Sequence, residues 1–397
     1  MKKLIIFLIS ISSLSVFAQK DNRITIGTVD TIYSKILGEK RAILVHVPKG
    51  DKTEKYPVLY ILDGEEHFQS AVAIDEQMSG VTPPMIVVGI TNTNRERDMT
   101  PTHIKAYKLV NEGEARASGG GDNFMGFIEK ELIPYIDNHY PATSYRVISG
   151  HSLGGLAVIN ALFNHPKLFK AYIAIDPSIW WDSQRWIKKQ EAGLSKTDFE
   201  NKSLFVAIAN NIPPGMDTIS VLKDTTDAAP VTQAVIPFVH ILRNTKPAGL
   251  RGRSKFYPNE RHGTVELNAE YDGLLSIFDF YHFTTRQFIG HPELDEDSVI
   301  AAHFKVISEK LGYTVQPGED LINEVAYDCM ARKKWDVAYK LFKRNTDNHP
   351  ESSNVFDSLG DYYVERGDKQ NAITAFIKAL SLNESADTRR KLNELKK

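Results

Sequence analysis

The chain has 397 residues, of which 42% are hydrophobic, 25% charged and 10% aromatic, an ordinary globular composition with room for a core of a few hundred residues and a smaller appendage. A formal net charge of −2 gives no overall bias toward nucleic acid or an anionic membrane. The single cysteine, Cys329, excludes an intramolecular disulfide and a multi-thiolate metal site; it lies in an apolar helical pattern and reads as a small core residue.

The first residues form a distinct segment. Lys2 and Lys3 precede an apolar stretch, Leu4 to Leu14, broken only by serines, and Val16 and Ala18 supply small residues before Gln19. This is the pattern of a secretory signal peptide over residues 1–18. Its apolar run is shorter than the roughly 20 residues that span a bilayer, and no later stretch is long enough either. The expectation is an exported chain, periplasmic or secreted, with no membrane span.

From residue 24 to about residue 290, short β-rich runs alternate with amphipathic helical patterns. The strand candidates are Ala42–Val47, Val58–Leu62, Ile86–Ile90, Arg146–Ser149, Ala171–Ile175, Leu204–Ala209 and Ser254–Tyr257. Several are continuous β-branched runs that suit strands buried on both faces. Helical patterns such as Asp122–His139 and Gly155–Asn164 lie between them. The alternation predicts a mostly parallel sheet covered by helices on both sides. Short turns join the runs before Asp63, which suits antiparallel pairing there.

Residues 291–319 read as a helical connector, and from Asp320 to the end the pattern is wholly helical and repeats. Ala338 recurs as Ala372 and Phe342 as Phe376, each 34 positions on. Phe356, Leu359, Gly360, Tyr363, Ala372, Phe376 and Ala379 fall where a tetratricopeptide repeat places an aromatic, Leu-Gly, Tyr and a small-large-small series. The first unit has Ala338, Phe342 and Pro350 in place, but Ile322 and Cys329 where aromatics are usual. Two units and a last helix are fewer than the about three repeats that stand alone. Residues 320–397 are therefore expected to dock on the larger domain, on a protein partner or on a second copy.

The chemistry centres on Val147-Ile148-Ser149-Gly150-His151-Ser152-Leu153-Gly154-Gly155-Leu156, a strand, a Gly-x-Ser-x-Gly turn and a helix. A serine hydroxyl attacks only when a base takes its proton. A tight strand-to-helix turn lifts it into the open, and glycines at 150 and 154 leave room for the strained backbone. The helix that follows aims free N–H groups at the site, so the amide of Leu153 is a candidate oxyanion donor. Ser152 is the expected nucleophile.

In such an arrangement the acid and then the histidine follow the serine. His165, His240, His282, His291, His303 and His349 lie in or beside helical runs. His262 alone follows a strand and precedes Gly263 on a loop leading into a helix, where a base reaches the serine. For the acid, the loop after Leu204–Ala209 opens with Asn210 and Asn211, and Asp217 is its first carboxylate. Asp217 is the leading candidate, Asp224 and Asp227 are alternatives, and Glu260 is a remote one. Asp176, at the end of the preceding strand, reads as a structural turn residue. A second oxyanion donor is expected after Val58–Leu62, at the backbone of Gly64 or Glu65.

With these residues in hand the chain resembles the α/β-hydrolase esterase family that includes enterochelin (siderophore) esterases, feruloyl esterases and S-formylglutathione hydrolases. The matching segments are Leu59 to Gly64, Val87 to Ile90 with Arg97-Asp98, Phe127 to Pro134, Gly150 to Gly155, Asp176 to Trp181 and His262 to Val265. The resemblance covers most of residues 30–285 and is nearest the enterochelin-esterase branch. It implies an α/β-hydrolase fold and a serine ester hydrolase, with Ser152 as nucleophile, His262 as base and an oxyanion hole at Gly64 and Leu153. It requires no metal or cofactor, and it implies a small-molecule or glycan-linked ester as substrate. The loop after Ala209 is longer than the family pattern leads one to expect, and the helical tail lies outside it. Arg97, Trp180 and Trp181 are candidate pocket residues that packing explains equally well.

Rival readings are a peptidase or acyltransferase using the same residues, a feruloyl or acetyl esterase, and a binding or scaffold protein working through its tail. The joint presence of Ser152 and His262 speaks against the last, because a retired site has no reason to hold both.

Overall fold

The computed structural model describes residues 24–50, 54–226 and 228–397. The signal-peptide segment and Asp227 lie outside the described residues. Eight strands form one sheet: β1 (Thr28–Ser34), β2 (Glu39–His46), β3 (Tyr56–Leu62), β4 (Ile86–Ile90), β5 (Ala142–His151), β6 (Ala171–Ile175), β7 (Lys202–Ala209) and β8 (Leu250–Tyr257). Their order is β1-β2-β4-β3-β5-β6-β7-β8. The pairs β1–β2 and β2–β4 are antiparallel, and every pairing from β4 through β3 to β8 is parallel.

The central strands are buried on both faces, as their unbroken apolar runs require. Alternation along β3 divides the core in two: Val58, Tyr60 and Leu62 face one layer, Leu59 and Ile61 the other. The first layer is closed by a helical segment at 121–139, by α2 (Leu153–Asn164) and by α3 (Pro230–Thr245). The second is closed by α1 (Gly64–Gln77) and α4 (Glu266–Ile277). The segment at 121–139 carries a π turn over Ile128–Leu132, just ahead of Pro134, which has no N–H to donate to the helical ladder.

Strand β1 goes unmarked in the sequence pattern because it is an edge strand. Of its residues only Ser34 is buried, and Val29 and Tyr33 face outward, so it lacks the apolar alternation of a half-buried strand.

Six further α-helices follow α4: α5 (Glu296–Leu311), α6 (Glu319–Ala331), α7 (Trp335–Asn348), α8 (Ser353–Glu365), α9 (Lys369–Leu382) and α10 (Ala386–Lys396). α5 is the joint. Its Ile307 and Leu311 enter the second layer of the sheet domain's core beside Tyr145 and Phe278. A separate cluster, formed by Phe288, Ile300, Ile322, Val325, Cys329, Phe342 and Tyr362 among others, fills the space between α5, α6, α7 and α8. Cys329 is wholly buried there, and burial pushes its thiol up to about 12. Gly360 on α8 lies against the Phe376 ring of α9, so close that a methyl group there would overlap it.

Candidate active site

Four neighbouring parallel strands, β5 to β8, each deliver one residue to the carboxyl edge of the sheet. Ser152 follows β5 with φ 61° and ψ −117°, left-handed backbone that only an over-determined turn sustains. The turn is held on both sides. The Ser152 N–H donates to the Ile175 carbonyl (3.0 Å), and the Ser152 carbonyl accepts from the Ser178 N–H (2.9 Å). Gly150 and Gly154 meet across it, and a Cβ on Gly150 would stand 2.6 Å from the Gly154 carbonyl carbon.

His262, on the loop between β8 and α4, accepts the Ser152 hydroxyl at Nε2 (2.9 Å). Its Nδ1 donates to Asp176 Oδ2 (2.6 Å). The carboxylate can only accept, so the proton sits on Nδ1 and leaves the Nε2 lone pair facing the serine. The Ser178 hydroxyl stands 3.2 Å from that of Ser152.

The acid position corrects the sequence-based expectation. Asp217, the leading candidate, is exposed on its own loop, where its carboxylate accepts from the Ile219 and Ser220 N–H groups (3.0 and 2.7 Å) and the Ser220 hydroxyl. Those bonds hold the Asp217 carboxyl below its ordinary range, Ser220 contributing most. Asp224 bonds Thr226, and Glu260 bonds Thr264 and Asn268. It is Asp176, read from sequence as a turn residue, that meets His262. It is wholly buried at the end of β6 with φ 39°. Its carboxylate also accepts from the Ala209 N–H (3.0 Å) and from Asn211 Nδ2 (2.8 Å). The Asp-Pro pair after a strand is an everyday turn signal, which carries no mark of this contact. The usable clue was the pair of asparagines after β7, which leaves the neighbouring strand end as the nearest carboxylate.

His151 completes the wall behind His262. Its ring lies 4.5 Å from that of His262, and its Nε2 is buried with no hydrogen-bond partner among the described residues. Burial above all, and then the neighbouring His262, push His151 down to about 4, so it stands beside His262 as a neutral ring. His67, on α1, meets His151 edge-on at 6.1 Å and lies 3.5 Å from Glu266.

The loop after β3 reaches the same place. Asp63 has φ 53° and is buried, and the turn it makes starts α1 at Gly64. A Cβ on Gly64 would lie 2.6 Å from the Gly89 carbonyl carbon, so the loop sits hard against β4. The first N–H groups of α1 and of α2, those of Gly64 and Leu153 included, have no partner within their own helix. Arg95 grips Asp63 with two bonds (2.7 and 2.9 Å) and also reaches the His151 carbonyl (3.3 Å). It thereby ties this loop to the serine turn.

Sequence reasoning missed Arg95 and singled out Arg97. Arg97 instead bonds Glu39 and Asp98 in a network around the buried Arg41 at the sheet edge. Trp181 is buried in the core and donates to the Thr102 carbonyl (3.3 Å), while Trp180 packs beside it half-buried.

A protein-family profile described as "Putative esterase" matches residues 34–214. Ferri-bacillibactin esterase BesA of Bacillus subtilis is 35% identical over 170 residues, which are 39% of this chain and 58% of that protein. The chain thus matches little more than half the length of this curated relative. Among solved structures, an IroE-like serine hydrolase from Shewanella oneidensis is 31% identical with a TM-score of 0.67, over 81% of this chain and 99% of that one. An uncharacterised protein from Capnocytophaga ochracea, 18% identical with a TM-score of 0.65, shares the fold over 93% of this chain and 99% of its own.

Proposed function

The chain belongs to the esterase family of α/β-hydrolases, and from that premise we propose that it is a serine carboxylic-ester hydrolase acting on siderophore-type esters. Ser152 is the nucleophile, His262 the general base and Asp176 the acid that orients it. The observation that carries this reading is the unbroken hydrogen-bond run from Ser152 through His262 to Asp176 on a strained strand-to-helix turn.

The reaction runs in two halves. Ser152 Oγ attacks the ester carbonyl carbon while its proton passes to His262 Nε2. The carbonyl oxygen becomes an oxyanion, for which the N–H groups of Leu153 and Gly64 are the proposed donors. The tetrahedral centre collapses, the C–O bond breaks, and His262 returns the proton to the departing alcohol. Water then attacks the acyl-serine, giving its proton to His262, and a second collapse breaks the bond to Oγ, His262 returning that proton to Ser152 as the carboxylic acid leaves. Asp176 keeps the imidazole in the tautomer that both halves need and stabilises the imidazolium formed in each. No step calls for a metal or an organic cofactor.

The substrate class rests on the relatives, since the similar protein from Bacillus subtilis is named for a ferric siderophore. The paired helices of the tail, with Gly360 under Phe376, support a tetratricopeptide-like segment for a protein partner or a second copy. Among the described residues no helix is long and apolar enough to cross a membrane; export rests on the Lys2-Lys3 and apolar pattern of residues 1–18.

The test is hydrolysis of p-nitrophenyl acetate by the wild type and by Ser152→Ala, followed by a comparison of a siderophore lactone, a feruloyl ester and a short acyl ester. The variant should lose about a thousand-fold or more in rate, and the lactone should give the highest kcat/KM. Equal rates in wild type and variant would sink the serine mechanism; a preference for the feruloyl ester would overturn the substrate class alone.

A further inference from the structure

Asn211 occupies the place after β7 where the sequence leads one to look for the acid, and it touches both partners of the nucleophile. Its Oδ1 accepts from the backbone N–H of His262 (2.9 Å), and its Nδ2 donates to Asp176 Oδ2 (2.8 Å). That oxygen is the one that receives His262 Nδ1. One planar amide therefore fixes the loop that carries the base and loads the oxygen that orients it.

The rest of the stretch reinforces the link. Asn210 donates from its backbone N–H to the Glu260 carbonyl (2.7 Å) and from Nδ2 to the Pro258 carbonyl (2.8 Å). The 258–262 loop is thus fastened to the end of β7 by three bonds, of which the Asn211 bond lies at the histidine itself. Ala209, the last residue of β7, lends its N–H to the other oxygen of Asp176.

Resting on the serine-hydrolase reading above, we propose that Asn211 is a positioning residue for the base: it sets the place of His262 through the backbone and tempers, through Asp176, how strongly the imidazole holds a proton. A donor on the shared oxygen draws charge away from the bond to His262 Nδ1. The titratable groups facing the His262 ring are Asp176 and His151, with His67 behind the latter; removing the Asn211 donor changes only the first, leaving more of the Asp176 charge to the imidazolium, so His262 stays protonated, and inactive as a base, to higher pH. A residue that merely packs would change stability and leave the shape of the pH profile alone.

The test compares wild type, Asn211→Leu and Asn211→Asp on p-nitrophenyl acetate over the acid limb of kcat/KM, with thermal melting and covalent labelling of Ser152 by a fluorophosphonate measured alongside. Asn211→Leu should lose about 10- to 100-fold in kcat with little change in KM, and its acid limb should move up by about half a pH unit. Asn211→Asp keeps an acceptor for the His262 N–H and sets a like charge against Asp176. Its limb should move up further, by about one unit. A limb that stays in place in the leucine variant overturns the proposal. Where that variant does not fold, an unmoved limb in the aspartate variant, which has the same size, does so. Failure of the underlying reading looks different, since fluorophosphonate would then fail to label Ser152 in the wild type.

Discussion

Ser149, on the strand that carries the elbow, donates its hydroxyl to Glu270 on α4, the helix that leaves the His262 loop. Both residues are buried. The strand that leads to Ser152 and the helix behind His262 are therefore bolted together, by a carboxyl that burial pushes up to about 8. Near neutral pH it is held mostly as the uncharged acid, which a buried site tolerates far better than the anion.

Stability should record that proton. The folded value of Glu270 lies above its unfolded value of 4.5, so the contribution is fully present below about 4.5 and is lost as the pH rises through about 8. Glu270→Gln offers Ser149 an acceptor and needs no proton. Its melting temperature should match the wild type near about pH 5 and exceed it by a few degrees near about pH 9. Thermal melts across that range check this; a difference that does not change with pH would mean Glu270 is not the group that titrates.

His151 should act on the acid side. Its folded value of about 4 lies below the ordinary 6.5, so the unfolded chain takes up a proton that the folded chain refuses. Stability from this residue is intact above about 6.5 and is lost as the pH falls through about 4. His151→Phe keeps a flat ring against His262 and cannot be protonated. Between those values its melting temperature should decline less steeply than that of the wild type, as calorimetry would show; parallel declines would assign the acid sensitivity elsewhere.

The two aspartates give the sharpest contrast at the site. Asp176→Asn removes the charge that stabilises the imidazolium and favours the wrong tautomer, and should lower kcat by about a thousand- to ten-thousand-fold. Asp217→Asn, on an exposed loop bonded only to itself and its neighbours, should leave kcat/KM within about two-fold. Steady-state kinetics on one chromogenic ester decides both, and a large loss from Asp217→Asn would reinstate that loop as the source of the acid.

This contrast also marks how far the sequence could be read. The serine turn is local: a β-branched run, two glycines and a small-residue helix lie within ten positions, and the mostly parallel character of the sheet follows from the alternation of strands and helices. The His262 loop could be picked out because a strand precedes it and a helix follows. The bond from Asp176 to His262 spans 86 positions, and nothing in Asp-Pro-Ser distinguishes a triad acid from a turn until β6 is seen to lie between the strands of the serine and of Asn211. The link between Arg95 and Asp63 was hidden for the same reason. Each is an ordinary surface type whose partner is fixed only by tertiary packing. In the tail, the close approach of two helices at Gly360 and Phe376 was legible, because small-large-small spacing on consecutive helices is itself a packing rule.

That spacing supplies the last prediction. Gly360 on α8 leaves room for the Phe376 ring of α9, and a methyl group at Gly360 would overlap it. Gly360→Ala should therefore force α8 and α9 apart and destabilise the tail by about 1–3 kcal/mol, as overpacking does elsewhere. The residues disturbed belong to the clusters around Tyr362 and Phe376, which among the described residues share with the layer holding Tyr145, Ile307 and Leu311 a single, half-buried side chain, Phe304 of α5. Damage should then stay in the tail: faster proteolysis between α7 and α10, a lower first melting transition, and ester hydrolysis within about two-fold of wild type. Joint loss of the tail and of hydrolysis in a single transition would show instead that α5 transmits the strain into the catalytic core, making the two parts one cooperative unit.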